Sequence, residues 1–472
     1  MDFRTTSLVE LASQVRAREL SARELTDHAL ERIGSLNPTL NAFVAIDADA
    51  ARSDAAAIDE RLARGERVGP LAGIPIGVKD LEAARGFVTA RGSALHVGDA
   101  PATEDSTHVA RLRAAGCVVL GKTNTPEHGW MADTTSPTFG PSRNPWNTDR
   151  SPGGSSGGTA AALASGMVPL ATGSDGGGSI RIPAALCGLN ALKPSAGRVP
   201  NGGTRAPGSG LLGVKAPMTR LVRDQAFALD VVLGQDPLDP FSLPRPAERW
   251  YDAVAAPGPV PALLPPAVLW APTMGYDVDH EVLHVCEAAV RTLEAAGTEI
   301  ITIDTVFSDD PVMTFLTLWC IMRLRDQGSA FGTDDWERID PGLRAQMIYA
   351  KDHFGPAAFA TALDDCYRYS AELATVFEQA PILLSPTVAG QTALVGGHQG
   401  TINGEESQTW VRFTYPFNLT RYPAGSVTAG FTADGMPVGL QVVGRHLDDL
   451  GVLATMAHLE DLLAIDALAP VS

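Results

Sequence analysis

The chain has 472 residues, of which 45% are hydrophobic and 19% are charged. This composition is ordinary for a globular protein and excludes wholesale disorder, and the length suggests about three domains of typical size. Its 54 acidic and 36 basic residues give a formal net charge of −18, which disfavours nucleic acid and anionic membrane surfaces as partners because like charges repel.

The N-terminal segment 1–20 is polar and charged. It lacks the apolar core and small-residue cleavage site of a signal peptide, and no stretch of the sequence reaches the roughly 20 apolar residues of a membrane span. Five scattered cysteines form no CxxC pair, which suits a reducing compartment better than a disulfide framework. We therefore predict a cytoplasmic protein without membrane attachment.

Helices are predicted at the start of the chain. The capping-box motifs Ser7-x-x-Glu10 and Ser21-x-x-Glu24 each predict the beginning of an amphipathic helix. An alanine-rich segment predicts a third helix over 48–62.

A buried strand is predicted over the apolar run 71–78, and it ends at Lys79. A lysine at a strand end normally extends into solvent. Inside a closed core it would instead lose its proton readily and become a base. A helix over 105–115 and a short apolar strand over 117–120 follow.

A first glycine cluster, Ser-Pro-Gly-Gly-Ser-Ser-Gly-Gly-Thr, spans 151–159. Its glycines permit a tight backbone, and the predicted helix 160–165 directs free N–H groups toward it. One interpretation is a flexible loop, although a linker would not lead straight into a helix. A phosphate-binding loop is the second, but Thr159 stands where its lysine belongs. The third is a nucleophile elbow built on Gly-x-Ser155-x-Gly.

A second glycine cluster lies within 172–183, where three glycines precede Ser179. Successive backbone N–H groups can then converge beside the Ser179 hydroxyl, as an oxyanion hole requires. Asp175 and Arg181 flank the glycines and are expected to form a charged pair that fixes the turn. The alternative is a glycine bulge between strands.

The rest of the chain alternates helices with short apolar strands. Further strands are predicted at 168–171, 300–303, 382–384, 425–431 and 440–443. This alternation predicts an α/β fold around a largely buried sheet. The proline-rich segment 238–266 would suit a linker, but the strands after it are too few for a second core, so we predict one domain. The stretch 312–379 is predicted to be mostly helical, as a cover over the functional site or as a plain packed layer.

A zinc-peptidase pattern, HExxH, occurs at His280 and His284. The competing interpretation is the start of an ordinary helix, with Asp277 or Asp279 as its cap and Glu281 in its first turn. No third ligand follows at the expected spacing. We therefore favour the helix start and predict no metal site.

Three motifs together resemble the amidase signature family: Gly-Val-Lys79-Asp, Gly-Gly-Ser155-Ser-Gly-Gly and Gly-Gly-Ser179-Ile-Arg-Ile-Pro. Further family-like stretches make the resemblance cover most of the chain, at 121–127, 143–146, 187–194, 217–220 and 435–441. The resemblance implies an α/β/α sandwich around a large mixed β-sheet. It implies one domain over 1–472, which divides into N-terminal helices, a catalytic core, a linker with a helical covering region, and C-terminal strands with a helix (1–65, 66–235, 236–380 and 381–472).

The same resemblance implies the roles of individual residues. Ser179 would be the nucleophile, Ser155 a proton relay that follows a cis peptide bond, and Lys79 the base. The oxyanion would be held by backbone N–H groups of Gly176, Gly177, Gly178 and Ser179. Supporting roles fall to Asp175, Arg181 and Ser156, and no cofactor is implied.

Two positions depart from the family pattern. Position 176 is glycine, where relatives often carry isoleucine or threonine, and this is expected to loosen the oxyanion turn or widen the site. Arg421-Tyr422 replaces a glycine-containing stretch. Candidate pocket positions are Trp130, Met131, Trp319, Cys320 and the segment 195–213.

The implied activity is hydrolysis of C–N bonds in neutral amides, aryl amides or carbamates through an acyl-enzyme, with a small molecule as the only expected partner. One alternative is the A component of a tRNA-dependent glutamine amidotransferase. Two others are a zinc peptidase that uses His280 and His284, and an α/β-hydrolase esterase that pairs Ser155 with His446. The sequence does not decide between a monomer and a homodimer, or among amide, carbamate and ester substrates.

Overall fold

The computed structural model describes residues 1–202, 208–255 and 264–471. These residues form fourteen α-helices: α1 (Leu8–Ala17), α2 (Ala22–Leu40), α3 (Ala48–Ala63), α4 (Thr107–Ala114), α5 (Gly157–Ala164), α6 (Arg181–Cys187), α7 (Val222–Val232), α8 (Trp250–Val254), α9 (His280–Ala295), α10 (Val312–Gln327), α11 (Pro341–His353), α12 (Pro356–Val376), α13 (Pro416–Leu419) and α14 (Asp449–Leu463).

The same residues form fifteen strands: β1 (Phe43–Ile46), β2 (Pro75–Lys79), β3 (Val118–Thr123), β4 (Thr135–Ser136), β5 (Gly140–Pro141), β6 (Leu170–Asp175), β7 (Ala191–Lys193), β8 (Val214–Met218), β9 (Ala267–Trp270), β10 (Glu299–Thr302), β11 (Ile382–Pro386), β12 (Thr401–Ile402), β13 (Glu405–Glu406), β14 (Ala424–Phe431) and β15 (Pro437–Gly444). The strand predicted over 71–78 is therefore shorter at its start, because 71–74 form a turn. Part of the predicted linker, 256–263, lies outside the described residues.

The two predicted N-terminal caps differ in completeness. Ser21 and Glu24 form the full capping box: the Ser21 N–H donates to Oε2 of Glu24 at 2.8 Å, and the Glu24 N–H donates to Oγ of Ser21 at 3.0 Å. Ser7 caps α1 through the N–H of Glu10 at 3.1 Å. The Glu10 carboxylate does not return the bond, since it accepts from Gln14 instead, so this motif supplies only half of the box.

The main strands form two mixed sheets. The five-stranded sheet has the order β1-β3-β2-β6-β8, with parallel pairs in its centre and an antiparallel strand at each edge. The six-stranded sheet has the order β10-β9-β11-β15-β14-β7, in which β9, β10 and β11 are parallel and the other pairs are antiparallel. The predicted α/β class is confirmed. The expected large sheet is divided into these two sheets, which share no direct strand pairing among the described residues.

A side chain joins the two sheets where β7 and β8 meet. Pro217 in β8 has no N–H to donate, and the fully buried Gln225 of α7 stands in for the missing strand pairing. The Gln225 side chain accepts from the N–H of Leu192 at 2.8 Å and donates to the carbonyl oxygens of Leu192 and Pro217 at 3.2 and 3.1 Å. The edges of both sheets are thereby tied together through one amide.

Helices cover both faces of the six-stranded sheet. A Cβ placed on Gly425 would lie 2.2 Å from Sδ of Met456 in α14, whereas a Cβ on Gly439 would lie 2.6 Å from Cβ of Ala185 in α6. Gly439 pairs with Thr428, three positions from Gly425 and therefore on the opposite face, since side chains alternate along a strand. Helices α6 and α14 thus lie on opposite sides, which is the expected layered arrangement.

The region 312–379 is helical as predicted, and it forms α10, α11 and α12. These helices build a second, smaller apolar cluster beside the main one, which extends from Phe3 to Leu459. All five cysteines are free thiols. In the described parts of the chain, no helix is long and apolar enough to cross a membrane.

Candidate active site

Lys79 is buried in the core at the end of β2 and does not reach solvent. Its Nζ lies 2.9 Å from Oγ of Ser155, 2.8 Å from Oγ of Ser156 and 3.0 Å from Oγ of Ser174. Burial lowers the pKa of Lys79 to about 7, although negative charges nearby oppose the shift, because an ammonium group loses its hydration inside the protein. The structure therefore brings Lys79 together with two of the predicted serines, Ser155 and Ser156.

No carboxylate of the described residues lies within 4.0 Å of the Lys79 ammonium group. Asp80, the next residue, is buried and its Oδ1 lies 3.2 Å from Nζ of Lys122. Glu82 is paired with His108, whose Nδ1 lies 3.2 Å from the Glu82 Oε2. The nearby acids thus have other partners, and Lys79 is left with hydroxyl groups and a carbonyl oxygen as its neighbours.

The first glycine cluster, 151–159, is buried throughout. The peptide bond between Gly154 and Ser155 is cis, as the family resemblance implied. A Cβ on Gly154 would lie 2.5 Å from the backbone oxygen of Asp133, and a Cβ on Gly158 would lie 2.4 Å from the backbone nitrogen of Asn124. The flexible-loop interpretation is wrong, because these glycines are needed for close packing against neighbouring backbone.

The second glycine cluster is fixed by a buried ion pair. The Arg181 guanidinium donates from Nε and Nη2 to the two carboxylate oxygens of Asp175, both at 3.0 Å, and neither residue is exposed. Asp175 also accepts from the N–H groups of Gly178 at 2.7 Å and Ile180 at 3.2 Å. Burial raises the pKa of Asp175, but the charge and hydrogen bonds of Arg181 outweigh burial and hold it below its usual value. The predicted pair is confirmed.

Residues from the C-terminal part of the chain complete this support. Arg181 donates to the carbonyl oxygen of Thr414, to Oε1 of Gln441 and to Oδ1 of Asn418 at 2.7–2.8 Å. The Thr414 hydroxyl donates to the Gly177 carbonyl oxygen at 2.6 Å. Thr414 and Asn418 were not predicted from the sequence because no local pattern marks them, whereas Gln441 lies within a family-like stretch.

The free backbone donors of the turn differ from the expected set. The Gly178 N–H donates to the Asp175 carboxylate, so it is not available to an oxyanion in this structure. Among the described residues, none accepts a hydrogen bond from the N–H groups of Gly176, Gly177 or Ser179. Three of the four predicted donors therefore have no acceptor among the described residues.

Helix α10 packs directly on this turn through two aromatic side chains. Phe315 and Trp319 are stacked, with ring centroids 5.5 Å apart. A Cβ on Gly177 would lie 2.7 Å from Cζ of Phe315, and a Cβ on Gly176 would lie 2.8 Å from Cζ3 of Trp319. The indole therefore fills the space that a larger residue at position 176 would occupy, and the glycine does not widen the site at this point.

A cavity of about 320 Å³ adjoins these groups, and Ser155, Ser174 and Ser179 border it. Within the part of the chain that the structure describes, no hydrogen bond links the hydroxyls of Ser155 and Ser179. Ser174 was missed from the sequence, although strand alternation from Thr172 would place both side chains on one face. Thr172 accepts from the Lys79 N–H at 2.9 Å.

Of the predicted pocket residues, Trp319 borders the cavity. The other three are not among its described lining residues: Trp130 packs against Gly342, Met131 is half-buried, and Cys320 is buried in the cluster formed by α10–α12. Part of the predicted segment 195–213 borders the cavity, and its residues 203–207 lie outside the described residues.

His280 and His284 are exposed at the start of α9. Asp279 caps this helix by accepting from the N–H groups of Glu281 and Val282 at 3.0 and 3.4 Å. No group of three or more His, Cys, Asp or Glu side chains in the described ranges is placed to hold a metal ion. The helix-start interpretation is confirmed.

The esterase alternative needs a histidine beside Ser155. The ring of His446 instead packs against Tyr422, with centroids 5.2 Å apart, and it borders a different cavity. The position next to the Ser155 hydroxyl is held by Lys79. The geometry therefore does not favour a Ser155–His446 pair.

Asp175→Asn is expected to lower the free energy of unfolding by about 3–5 kcal/mol, because Arg181 then remains buried without its counter-ion. Urea denaturation followed by circular dichroism measures the change. Asp335→Asn is the matched control, since its partner Arg338 is about half exposed and exposed pairs contribute little. Equal stability of the two variants would contradict the role of the buried pair.

Comparison with known proteins shows the family to which this chain belongs. A family model described as Amidase matches residues 24–453. An acylamidase from Rhodococcus erythropolis is 37% identical over 470 residues, which cover 96% of this chain and 94% of that protein. The A component of the glutamyl-tRNA(Gln) amidotransferase from Acidothermus cellulolyticus is 35% identical over 486 residues, covering 97% and 94%.

Solved structures give the same result. A bacterial aryl acylamidase of the amidase signature family has a TM-score of 0.88 and 30% identity, covering 98% of this chain and 99% of that one. A 6-aminohexanoate cyclic dimer hydrolase has a TM-score of 0.87 and 29% identity over the full length of both chains. The family model, the acylamidase and the aryl acylamidase together identify the class of this protein as an amide-cleaving hydrolase. The chain belongs to the amidase signature family, and the resemblance seen in its three motifs is confirmed.

Proposed function

We propose that this amidase cleaves small acyl amides through Ser179 as nucleophile, Ser155 as proton relay and Lys79 as base. The observation that carries the proposal is the environment of Lys79. Its amine is fully buried, has no carboxylate partner within 4.0 Å among the described residues, and touches three serine hydroxyls. A lysine whose pKa is about 7 can take up and return a proton at neutral pH.

The hydrogen-bond pattern supports Ser155 as the relay. A neutral amine has two N–H donors and one lone pair. Ser156 donates its own proton to the carbonyl oxygen of Ser174 at 3.3 Å, so its oxygen is left to accept from Lys79. Ser155 has no other hydrogen-bond partner among the described residues, and it borders the cavity. It can therefore give its proton to Lys79 and take one from Ser179.

In the proposed reaction, the Ser179 oxygen attacks the carbonyl carbon of the substrate while its proton passes through Ser155 to Lys79. The negative charge that forms on the carbonyl oxygen is met by the open N–H groups of Gly176, Gly177 and Ser179. The proton then returns through Ser155 to the leaving nitrogen, and the C–N bond breaks to give an acyl-enzyme. Water then attacks the ester carbonyl while one of its protons passes through Ser155 to Lys79. That proton returns through Ser155 to the Ser179 oxygen as the ester C–O bond breaks and the acid is released.

The proposed substrates are neutral amides, aryl amides or carbamates. Two similar proteins are named acylamidase and aryl acylamidase, and Trp319 offers an aromatic wall beside the oxyanion turn. The test is kcat/KM for a matched panel of anilides, primary amides, carbamates and esters that share one acyl group. Cleavage of anilides or carbamates well above the ester background supports the proposal, and an ester-only enzyme contradicts it.

The second candidate is the A component of a glutamyl-tRNA(Gln) amidotransferase, because several similar proteins carry that name at 32–35% identity. Such a component would release ammonia from glutamine and depend on partner proteins. Anilide cleavage by the purified chain alone, without glutaminase activity, favours the free-standing amidase. Glutaminase activity together with a partner that copurifies would favour the amidotransferase.

The proposed reaction uses no metal or organic cofactor, since the three side chains supply base, relay and nucleophile. Prolonged dialysis against a strong chelator is expected to leave kcat/KM unchanged. A loss of activity that added zinc restores would contradict the proposed reaction and favour the zinc-peptidase alternative that uses His280 and His284.

Gly176→Ala is expected to lower kcat/KM by about ten- to a hundredfold, because the added methyl collides with the indole and displaces the oxyanion turn. Its Cβ would lie 2.8 Å from Trp319 and 2.9 Å from Cβ of Ser209. Adding Trp319→Ala removes the first collision and should restore part of the rate. Gly98→Ala is the control, since nothing lies within 4 Å of its Cβ position. A double variant that is no faster than Gly176→Ala would contradict this account.

A further inference from the structure

A second cavity, of about 510 Å³, lies between α10, α12 and the segments 209–212 and 419–422. It is larger than the cavity beside Ser179, and its walls are mainly apolar. The apolar side chains include Leu212, Leu318, Met322, Phe359, Leu363 and Leu419. A space of this size and composition suits a small organic ligand.

One cation borders this apolar space without a partner. The Arg421 side chain makes no hydrogen bond and no ion pair within the described residues, and its Nε is buried. Its guanidinium carbon lies 5.9 Å from the centroid of the Phe241 ring. Arg421 is half-buried, so its unpaired guanidinium can form a charge-assisted pair with an anion bound in the cavity.

The backbone at Arg421 adopts a conformation that glycine prefers. Its φ of +66° lies in the left-handed region, which residues with a side chain rarely adopt and glycine adopts freely. A glycine would therefore be the less strained choice at this position. Arg421 directly follows Thr420, the C-cap of α13, and a left-handed residue commonly ends a helix at this place.

The Arg421 charge acts on His446, and the nearby Asp449 carboxylate does not pair with Arg421. Burial first, and then the Arg421 charge, lower the pKa of His446, which borders the same cavity. The nearby carboxylate of Asp449 is engaged elsewhere, since it accepts from the Ser195 N–H at 2.6 Å and from Arg198 at 2.9 Å. The polar end of the cavity is therefore positive in a chain whose formal net charge is −18.

We propose that this cavity, which we call the Arg421 cavity, binds an apolar monocarboxylate. The carboxylate pairs with the Arg421 guanidinium, which can hold both oxygens at once, and the alkyl or aryl body packs on the apolar walls. This binding does not depend on the proposed catalytic roles.

The Arg421 cavity and the catalytic cavity share a wall. Ser209 borders both spaces, and α10 presents Trp319 to the catalytic cavity but Leu318 and Met322 to the Arg421 cavity. Amide hydrolysis releases a carboxylic acid, so the ligand has two candidate sources: the acid that this enzyme itself produces, and an unrelated cellular acid.

Isothermal titration of the whole chain with octanoate tests the proposal. Binding is expected, and Arg421→Gln should weaken it by about tenfold or more because a charge-assisted pair is lost. The neutral analogue 1-octanol should bind wild type and Arg421→Gln alike, and Leu363→Trp, which fills the cavity, should abolish octanoate binding. Absence of octanoate binding, or equal affinity for wild type and Arg421→Gln, would overturn the proposal.

Two further measurements extend this test. The first separates loss of octanoate binding from loss of folding, and the second identifies the source of the bound acid. Arg421→Gly suits the left-handed backbone, so it should unfold at no lower temperature than wild type and still bind octanoate weakly. Unchanged octanoate affinity in this variant would contradict the proposal and point to the catalytic cavity as the binding site. Tighter binding of the acid released from the best panel substrate than of octanoate supports the site and assigns it to product. Similar binding of both supports the site and assigns it to a cellular acid.

Discussion

Replacing Lys79 by alanine is expected to lower kcat/KM by about a thousandfold or more, because the reaction loses the base that contacts Ser155. Lys79→Arg should be equally inactive, since a guanidinium keeps its proton at any working pH. Steady-state kinetics with an anilide measures both, and circular dichroism checks that the fold is retained. An active Lys79→Arg variant would remove Lys79 from the proposed mechanism.

The dependence of kcat/KM on pH follows from the same group. Burial lowers the pKa of Lys79 to about 7, so the amine is protonated and inactive as a base below that pH and neutral above it. The rate should rise with pH through about 7 and then remain level until the protein unfolds. A rate that stays flat down to about pH 5, well below the Lys79 pKa of about 7, would contradict the assignment.

The chain contains an internal control for this profile. Lys193 is a second fully buried lysine whose pKa burial lowers to about 7, but its Nζ donates to backbone carbonyl oxygens of Pro194 and Tyr422. Lys193→Met should change the free energy of unfolding and leave the midpoint of the kcat/KM profile in place. A shifted midpoint in this variant would show that the titration does not belong to Lys79 alone.

Ser179→Ala is expected to reduce turnover by about ten-thousandfold or more, because no acyl-enzyme can form. The fold should persist, since the Ser179 hydroxyl has no hydrogen-bond partner among the described residues and its loss leaves no buried group unpaired. Single-turnover kinetics measures the residual rate. Because the three groups act as a unit, adding Lys79→Ala should cause little further loss. A Ser179→Ala variant with substantial activity would contradict the proposal.

Much of the fold could be predicted where a local pattern and the tertiary structure agree. The Ser21 cap, the alanine-rich α3 and the apolar strand β11 follow from capping motifs and hydrophobic runs. The strands β1, β7, β8 and β9 were not predicted. They have three to five residues, and β8 contains a proline, so their pairing depends on distant partners such as Gln225 more than on their own sequence.

The candidate active site also combines residues that a local sequence pattern marks with residues that only the tertiary structure brings in. Glycine clusters marked Ser155 and Ser179, because only glycine permits the close backbone packing found at Gly154 and Gly158. Long-range contacts carried no such local signal: Thr414 and Asn418 come from a distant segment to hold Arg181. Engagement of one oxyanion donor by a carboxylate also depends on side-chain geometry that spacing alone does not show.

The central claim, that Ser179 is the nucleophile, is tested most directly by covalent labelling. The purified chain is treated with a sulfonyl fluoride and digested, and the modified peptide is located by mass spectrometry, with Ser179→Ala and Ser155→Ala treated in parallel. We predict a single adduct on Ser179 that appears as activity is lost and is absent from Ser179→Ala. An adduct on Ser155 of the wild-type chain, or labelling of Ser179→Ala at the rate seen for wild type, would contradict it.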